Sequence, residues 1–322
     1  MFTLGCHRSG TSLVAGVLGE FLEEMNPGSQ LKTSWLENNL DNPNGFHESK
    51  PLMETNKELL HLIGCNWERP YLVRPDWSQL ESYINIKQLR NRLKQWLTGI
   101  AWVDKDPRLC LTREAYLHIF LKDVDAIAVV RDPISVANSL FMRNGLKLET
   151  GLGLWLTYNY FLFNARCASP KATLIYNEIG NKADTFSEKI VSGLNPKILG
   201  LERSGKSYDQ TIELLHRKFK KHFSPALQRS DQALSASLLT HTDLTRTVKS
   251  AYKSLLEPEA LNNPMGLATI FKQSFHQSFD ILQDLFPHQF SEKTLAERKP
   301  SARAYRMISL AAEKIKSLQS KD

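Results

Sequence analysis

The first twelve residues, Met1-Phe2-Thr3-Leu4-Gly5-Cys6-His7-Arg8-Ser9-Gly10-Thr11-Ser12, constrain the fold more than any other segment. A short apolar run ends at a glycine, a loop of small and hydroxylic residues comes next, and Leu13-Val14-Ala15-Gly16-Val17-Leu18 continues as an apolar helix. This is strand, tight loop, helix. A loop of that kind turns several backbone N–H groups and a helix N-terminus toward one point, which suits a phosphate or a sulfate. Gly5 and Gly10 allow the backbone to turn and approach closely. Ser9, Thr11 and Ser12 supply hydroxyl donors, and Arg8 supplies a forked cation.

Gly5 and Gly10 have the spacing of G-x-x-x-x-G-K-[ST], but Thr11 stands where that pattern has its lysine, and the cation comes earlier, at Arg8. Three further segments belong with the first. Asp125-Ala126-Ile127-Ala128-Val129-Val130 reads as a buried parallel strand. Arg131-Asp132-Pro133 comes directly after it, with Asp132 suited to cap a helix and Pro133 to begin one, and Ser139 lies eight residues after Arg131. Ile100-Ala101-Trp102-Val103-Asp104 reads as a short strand before Lys105-Asp106-Pro107-Arg108. Asp41-Asn42-Pro43-Asn44-Gly45-Phe46-His47-Glu48 is a turn leading into a Leu-rich helix.

Together these segments resemble the PAPS-dependent sulfotransferases, which use 3′-phosphoadenosine 5′-phosphosulfate (PAPS) as donor. An early Arg followed by Ser-Gly-Thr-Ser resembles their 5′-phosphosulfate loop. A strand ending in Arg, then Asp-Pro, then Ser eight residues after the Arg resembles their 3′-phosphate motif. Lys-Asp-Pro in place of Lys-Thr-His resembles the bacterial carbohydrate and tyrosylprotein-type branch. The resemblance covers about the first 195 residues. It implies that Arg8, Ser9, Gly10, Thr11 and Ser12 hold the 5′-phosphosulfate and that Arg131 and Ser139 hold the 3′-phosphate. Lys105 and Arg8 then offset charge on the sulfuryl group, and Glu48 is the general base. His47, Glu37 and Asp41 are rivals for that last role. The family's chemistry requires no metal. The acceptor it implies is a hydroxyl or, second to that, an amine, with the Lys-Asp-Pro branch leaning toward a surface glycan or lipid-linked saccharide and leaving a lipid, a peptide tyrosine or a small metabolite open.

At 322 residues, 42% hydrophobic and 23% charged, the chain has the composition of a globular protein with one or two domains. A net charge of +7 fits a polyanionic ligand. The basic clusters Arg90–Lys94, Arg217–Lys221 and Arg298–Arg306 are spread along the chain, without an aromatic-interleaved stripe, so no specific nucleic-acid partner is expected. Cys6, Cys65, Cys110 and Cys167 match no metal spacing and read as free thiols in a reducing compartment. With no leader or apolar span recognised, the expected location is the cytoplasm of a bacterium.

Strands are expected at Phe2–Gly5, Ala101–Asp104, Asp125–Val130 and Ala172–Tyr176. Helices are expected at Thr11–Met25, Lys50–Ile63, Ile86–Leu97, Leu109–Leu121, Pro133–Arg143 and Leu152–Cys167, the last reading as aromatic core. This alternation predicts an α/β fold, a P-loop-type doubly wound parallel sheet, in residues 1–195. Residues 196–322 read as a helical C-terminal region, with helices at Tyr208–Phe223, Thr245–Leu256, Met265–Phe286 and Ala302–Leu318. Gly200-Leu201-Glu202-Arg203-Ser204-Gly205-Lys206-Ser207 satisfies the nucleoside-triphosphate loop pattern letter for letter, but Ile198-Leu199 is too short a strand to precede it, so it reads as a loop between domains. A P-loop kinase or another nucleoside-triphosphate enzyme is the alternative function.

Overall fold

The computed structural model describes residues 1–27, 47–82, 84–96, 102–223, 242–257 and 259–287. The expected helix Ala302–Leu318, the basic residues 298–306, Glu37, Asp41 and the Asn44-Gly45 turn lie outside the described residues.

Among the described residues, four short strands form one parallel sheet: β1 (Phe2–Leu4), β2 (Asp104–Lys105), β3 (Ala126–Val130) and β4 (Ala172–Ile175), in the order β2-β1-β3-β4. The fold is α/β and mostly helical. Phe2 registers with both Asp104 and Ala126, and Val130 registers with Ile175. Every residue of β3 is fully buried, as its continuous apolar run requires of a central parallel strand.

The helices of the first half are α1 (Thr11–Met25), α2 (Lys50–Leu62), α3 (Ile86–Trp96), α4 (Leu109–Phe120), α5 (Pro133–Asn144), α6 (Leu148–Phe163) and α7 (Ala183–Gly193). Then come two single turns, α8 (Pro196–Leu199) and α9 (Leu201–Ser204), and four further helices, α10 (Tyr208–His222), α11 (Thr242–Leu256), α12 (Pro264–Gln277) and α13 (Phe279–Leu285). Helices α8, α9 and α10 pack with α1, and α7 packs with α10, while α4, α5, α11, α12 and α13 pack with α6. Helix α6 is buried nearly all round. Its Tyr160 stacks on Phe275 at 4.0 Å and its Phe163 on Phe271 at 5.1 Å, so the aromatic stretch is core. The helices after residue 195 thus share one apolar cluster with the sheet.

Several boundaries differ from the sequence reading, each for a local reason. The second strand is Asp104–Lys105, not Ala101–Asp104. Its pairing is set by β1, whose Phe2 and Thr3 register with those two residues. Helix α6 begins at Leu148 and stops at Phe163 rather than spanning Leu152–Cys167. It comes shortly after Gly145, whose left-handed φ of 68° ends α5. The span Met265–Phe286 is two helices, because the chain turns at Ser278. The Gly200–Ser207 segment is ordered rather than an open loop. Gly200 and Gly205 hold φ of 70° and 65°, and Arg203 donates to the Asn26 side chain at the end of α1 (2.7 Å). Ser207 and Gln210 then form a reciprocal capping box that starts α10.

Candidate active site

Strands β1 and β3 lie side by side, and β1 has β2 on one flank and β3 on the other. The crevice at such a reversal of strand order, beyond the carboxyl ends of the strands, is where open α/β sheets bind ligands. The loops after β1 and β3 both open there.

The first loop is held in a conformation few residues adopt. Arg8 has φ 66° and Gly10, which starts α1, has φ 86°. A Cβ on Gly10 would lie 2.1 Å from two ring carbons of Tyr176, so the position admits no side chain. A Cβ on Gly5 would lie 2.5 Å from the Val129 carbonyl oxygen of the neighbouring strand. Ser9 is fully buried, and its hydroxyl has no hydrogen-bond partner among the described residues. An orphaned buried hydroxyl beneath a helix N-terminus fits an anion that would complete it.

The second loop is tied to the first. Arg131 donates from Nη1 to the carbonyl oxygen of Arg8 at 3.1 Å, and Arg8 donates from Nε to Ser139 Oγ at 2.8 Å. Arg131 lies over the Tyr176 ring, 4.8 Å from its centre, and the Trp155 indole N–H donates to its carbonyl at 2.9 Å. Ser139 reaches this point because Asp132 accepts from the Ser135 N–H (2.8 Å) and starts α5 directly after the strand. Arg8, Arg131 and Ser139, assigned to one anionic ligand by sequence reading, therefore form one cluster.

Lys105 and Glu48 form a buried ion pair at 2.5 Å. Lys105 ends β2, registered with Thr3 beside the first loop. Glu48 is positioned by the start of α2. Ser49 caps that helix, accepting from the Leu52 N–H, and its own N–H donates to Asp104 Oδ1 at 3.1 Å while its hydroxyl donates to Asp104 Oδ2. Burial raises the Glu48 carboxyl above its ordinary value, and the Lys105 ammonium opposes the shift. Burial also pushes Asp104 up to about 7, although bonds from Ser49 and Lys105 favour its charged form. His47 has a left-handed φ of 49°, and its ring rests against Gly16 of α1. The two candidate bases thus take different neighbours.

Asp106 is fully buried and accepts from Asn56 Nδ2 (3.0 Å), the Arg108 N–H (3.0 Å) and Arg108 Nη1 (2.9 Å). Asn56 in turn accepts from Thr112 Oγ1 (2.6 Å) and the Tyr116 hydroxyl (2.9 Å), which fastens α2 to α4. Sequence reading assigns no role to Asp104, Ser49, Asn56 or Arg108. Ser49 directly before Lys50-Pro51 is a readable cap signal; the pairings of Asp104 with Ser49 and of Asp106 with Asn56 span 50 or more residues and leave no local mark. Sequence reading also passes over His7. That ring lies 4.5 Å from Trp67 and 5.4 Å from Tyr158, centre to centre. Burial holds its imidazole well below the ordinary value, and Arg108, Lys105, Arg143 and Arg8 add to the shift. Trp67 and Arg108 also wall a cleft of about 560 Å³, together with Lys57, Leu60, His61 and Cys65.

The Gly200–Ser207 segment comes after a helical turn and not a strand, so it lacks the geometry of a phosphate loop.

No family model matches the chain, and no curated protein does. Two solved structures are similar to it, both sulfotransferase domains. One comes from the olefin synthase of Synechococcus PCC 7002, at 16% identity over 84% of this chain and 92% of that one, with a TM-score of 0.36. The other comes from the curacin biosynthetic pathway, at 19% identity over 78% of this chain and 96% of that one, with a TM-score of 0.37. Among the described residues, no helix is long and apolar enough to cross a membrane.

Proposed function

We propose that this chain transfers the sulfuryl group of PAPS to an acceptor hydroxyl. The observation that carries the reading is the cross-tie of the two loops, Arg131 to Arg8 and Arg8 to Ser139, with a buried carboxylate–ammonium pair at the adjacent strand end. A donor with phosphates at both its 3′ and 5′ positions needs two anion grips in one crevice. A nucleoside triphosphate needs a lysine at the end of the loop, where Thr11 stands.

In this reading the N–H groups of Arg8 to Ser12 and the Ser9 hydroxyl bind the 5′-phosphosulfate, with Gly10 leaving the backbone bare. Arg131 and Ser139 bind the 3′-phosphate. The acceptor oxygen forms its bond to sulfur as the bond from sulfur to the 5′-phosphate oxygen breaks, in line. The acceptor proton passes to Glu48. Lys105 and Arg8 offset the charge that accumulates on the sulfuryl oxygens and the departing phosphate. A sulfuryl group beside Lys105 competes with Glu48 for the ammonium, which leaves the carboxylate able to take the proton. The cleft beside Trp67 and Arg108 admits the acceptor. Its lining offers the Trp67 ring for stacking and the carboxylates of Glu58 and Glu68 with Asn66 for sugar hydroxyls, which suits a glycan or the saccharide of a lipid carrier. Residues 1–195 carry this machinery. The four free cysteines fit a reducing compartment, the cytoplasm.

The test is a thermal-shift titration with 3′-phosphoadenosine 5′-phosphate (PAP), with ATP and AMP beside it, each with and without Mg²⁺. A ligand that binds the native state raises its melting temperature by mass action. A metal-independent rise with PAP alone is expected. A Mg²⁺-dependent rise with ATP would overturn the reading in favour of a kinase-type enzyme.

A further inference from the structure

His7 is a loop residue without an assigned role, directly before Arg8 and with its ring against Trp67 of the cleft wall. Arg8, Lys105, Arg108 and Arg143 are the charges that act on its ring, and they come from four separate parts of the fold: the first loop, β2, the turn into α4 and the end of α5. The ring itself packs on Trp67 and Tyr158, and after burial the four cations each push its imidazole further down. Its Nε2 is buried and has no hydrogen-bond partner among the described residues. Two residues on, Ser9 Oγ is buried and unpartnered in the same way. Native proteins seldom leave buried polar atoms unpaired, and these two lie two residues apart in the loop between β1 and α1. The ring cannot turn away to find a partner, because it is packed between Trp67 and Tyr158 and the Tyr158 hydroxyl is itself bound to the Trp67 carbonyl (2.9 Å).

We propose that His7 contacts the donor, its Nε2–H donating to a non-bridging oxygen of the sulfuryl group on the side of the crevice that faces Trp67 and the acceptor cleft. This inference rests on the sulfuryl-transfer reading above. A neutral imidazole suits the place. It supplies a directed donor without adding a fifth positive charge among four, and it is held neutral by burial and by those same cations. Because Trp67 lies against one side of the ring and the cleft against Trp67, His7 couples the position of the sulfuryl group to the wall that an acceptor touches.

The experiment compares PAPS with PAP, which differ by the sulfuryl group, by titration calorimetry on the whole chain. His7→Phe keeps a ring between Trp67 and Tyr158 and removes the donor, and His7→Gln keeps an N–H at a similar reach. The expected result is that His7→Phe weakens PAPS about tenfold or more while PAP changes less than about twofold, and that His7→Gln recovers most of the loss. Unchanged affinity for both ligands, or equal losses for both, would overturn the proposal and make His7 a packing residue. Failure of the unaltered protein to bind PAP at all would instead overturn the donor reading, and this inference with it. Should His7→Phe not fold, the ¹⁵N-labelled imidazole of the unaltered protein decides. Its Nε2 signal is expected to move with PAPS and not with PAP, and identical responses to both refute the contact.

Discussion

Asp104→Asn probes the anchor behind Glu48. Asp104 is 1% exposed and accepts from the Ser49 N–H, the Ser49 hydroxyl and the Lys105 N–H. Burial still outweighs those bonds and moves its carboxyl from 3.8 to about 7. The folded state therefore holds a proton that the unfolded state has lost, and stability falls as pH rises from about 4 to about 7. The slope approaches about 1.4 kcal/mol per pH unit for this one group, and over the whole shift the loss is about 4 kcal/mol. Asparagine does not ionise. Its Oδ1 accepts the two backbone N–H groups, and its Nδ2 donates to the Ser49 hydroxyl. Urea unfolding of both proteins from pH 4 to pH 8 gives the difference in stability, in which the other titrating groups largely cancel. That difference should shift in favour of the variant up to pH 7 and level off above it. A difference that stays constant with pH would refute the argument that burial holds Asp104 protonated.

Three further outcomes are expected of the site. Glu48→Gln should leave PAP affinity within about twofold and lower turnover by about 10²-fold or more, on the order expected for a lost general base; unchanged turnover in a PAPS assay removes Glu48 from that role. Arg131→Ala should weaken PAP by about tenfold to a hundredfold while adenosine 5′-phosphosulfate, which lacks the 3′-phosphate, loses little; calorimetry with equal losses for both places Arg131 elsewhere. Gly10→Ala should lower the melting temperature and abolish PAP binding, because it adds a collision with Tyr176 to a left-handed backbone. Gly205→Ala has a similar φ of 65° but open space around it, so it should show only the strain, about 1–2 kcal/mol.

Much of the fold is legible because its signals are local. Helix α1 runs from Thr11 to Met25 as its apolar pattern predicts. Helix α5 begins at Asp132-Pro133, a cap and a first-turn proline that need no tertiary context. The second strand is expected too early because Ala101-Trp102-Val103 is more apolar than Asp104-Lys105. Pairing with β1, about 100 residues away in sequence, decides the matter and puts two charged residues in the sheet. The site divides the same way. Arg8, Arg131 and Ser139 belong to motifs that can be read from spacing. The supports of Glu48 arise where α2 meets β2, and nothing in residues 47–56 marks Asp104 or Asp106 as their partners. His7 is hidden for a different reason: its neighbours in sequence describe a loop, while its ring packs on Trp67 and Tyr158, 60 and 151 residues away.

The bonds from Arg131 to Arg8 and from Arg8 to Ser139 also bear on how damage to this site accumulates. Each grip occupies donors or acceptors of the other, so under the proposed function a doubly phosphorylated donor would exchange the Arg8–Ser139 and Arg131–Arg8 bonds for its own, and part of its attraction to these residues would be offset by the swap. Residues that share a partner depart from independence in double-mutant cycles. Removing Ser139 releases Arg8 to find a phosphate oxygen, and removing Arg8 releases Ser139. The loss from changing both should therefore differ from the product of the two single losses. The two loops would then be inherited as a unit, with tolerated substitutions at one set by the residue present at the other.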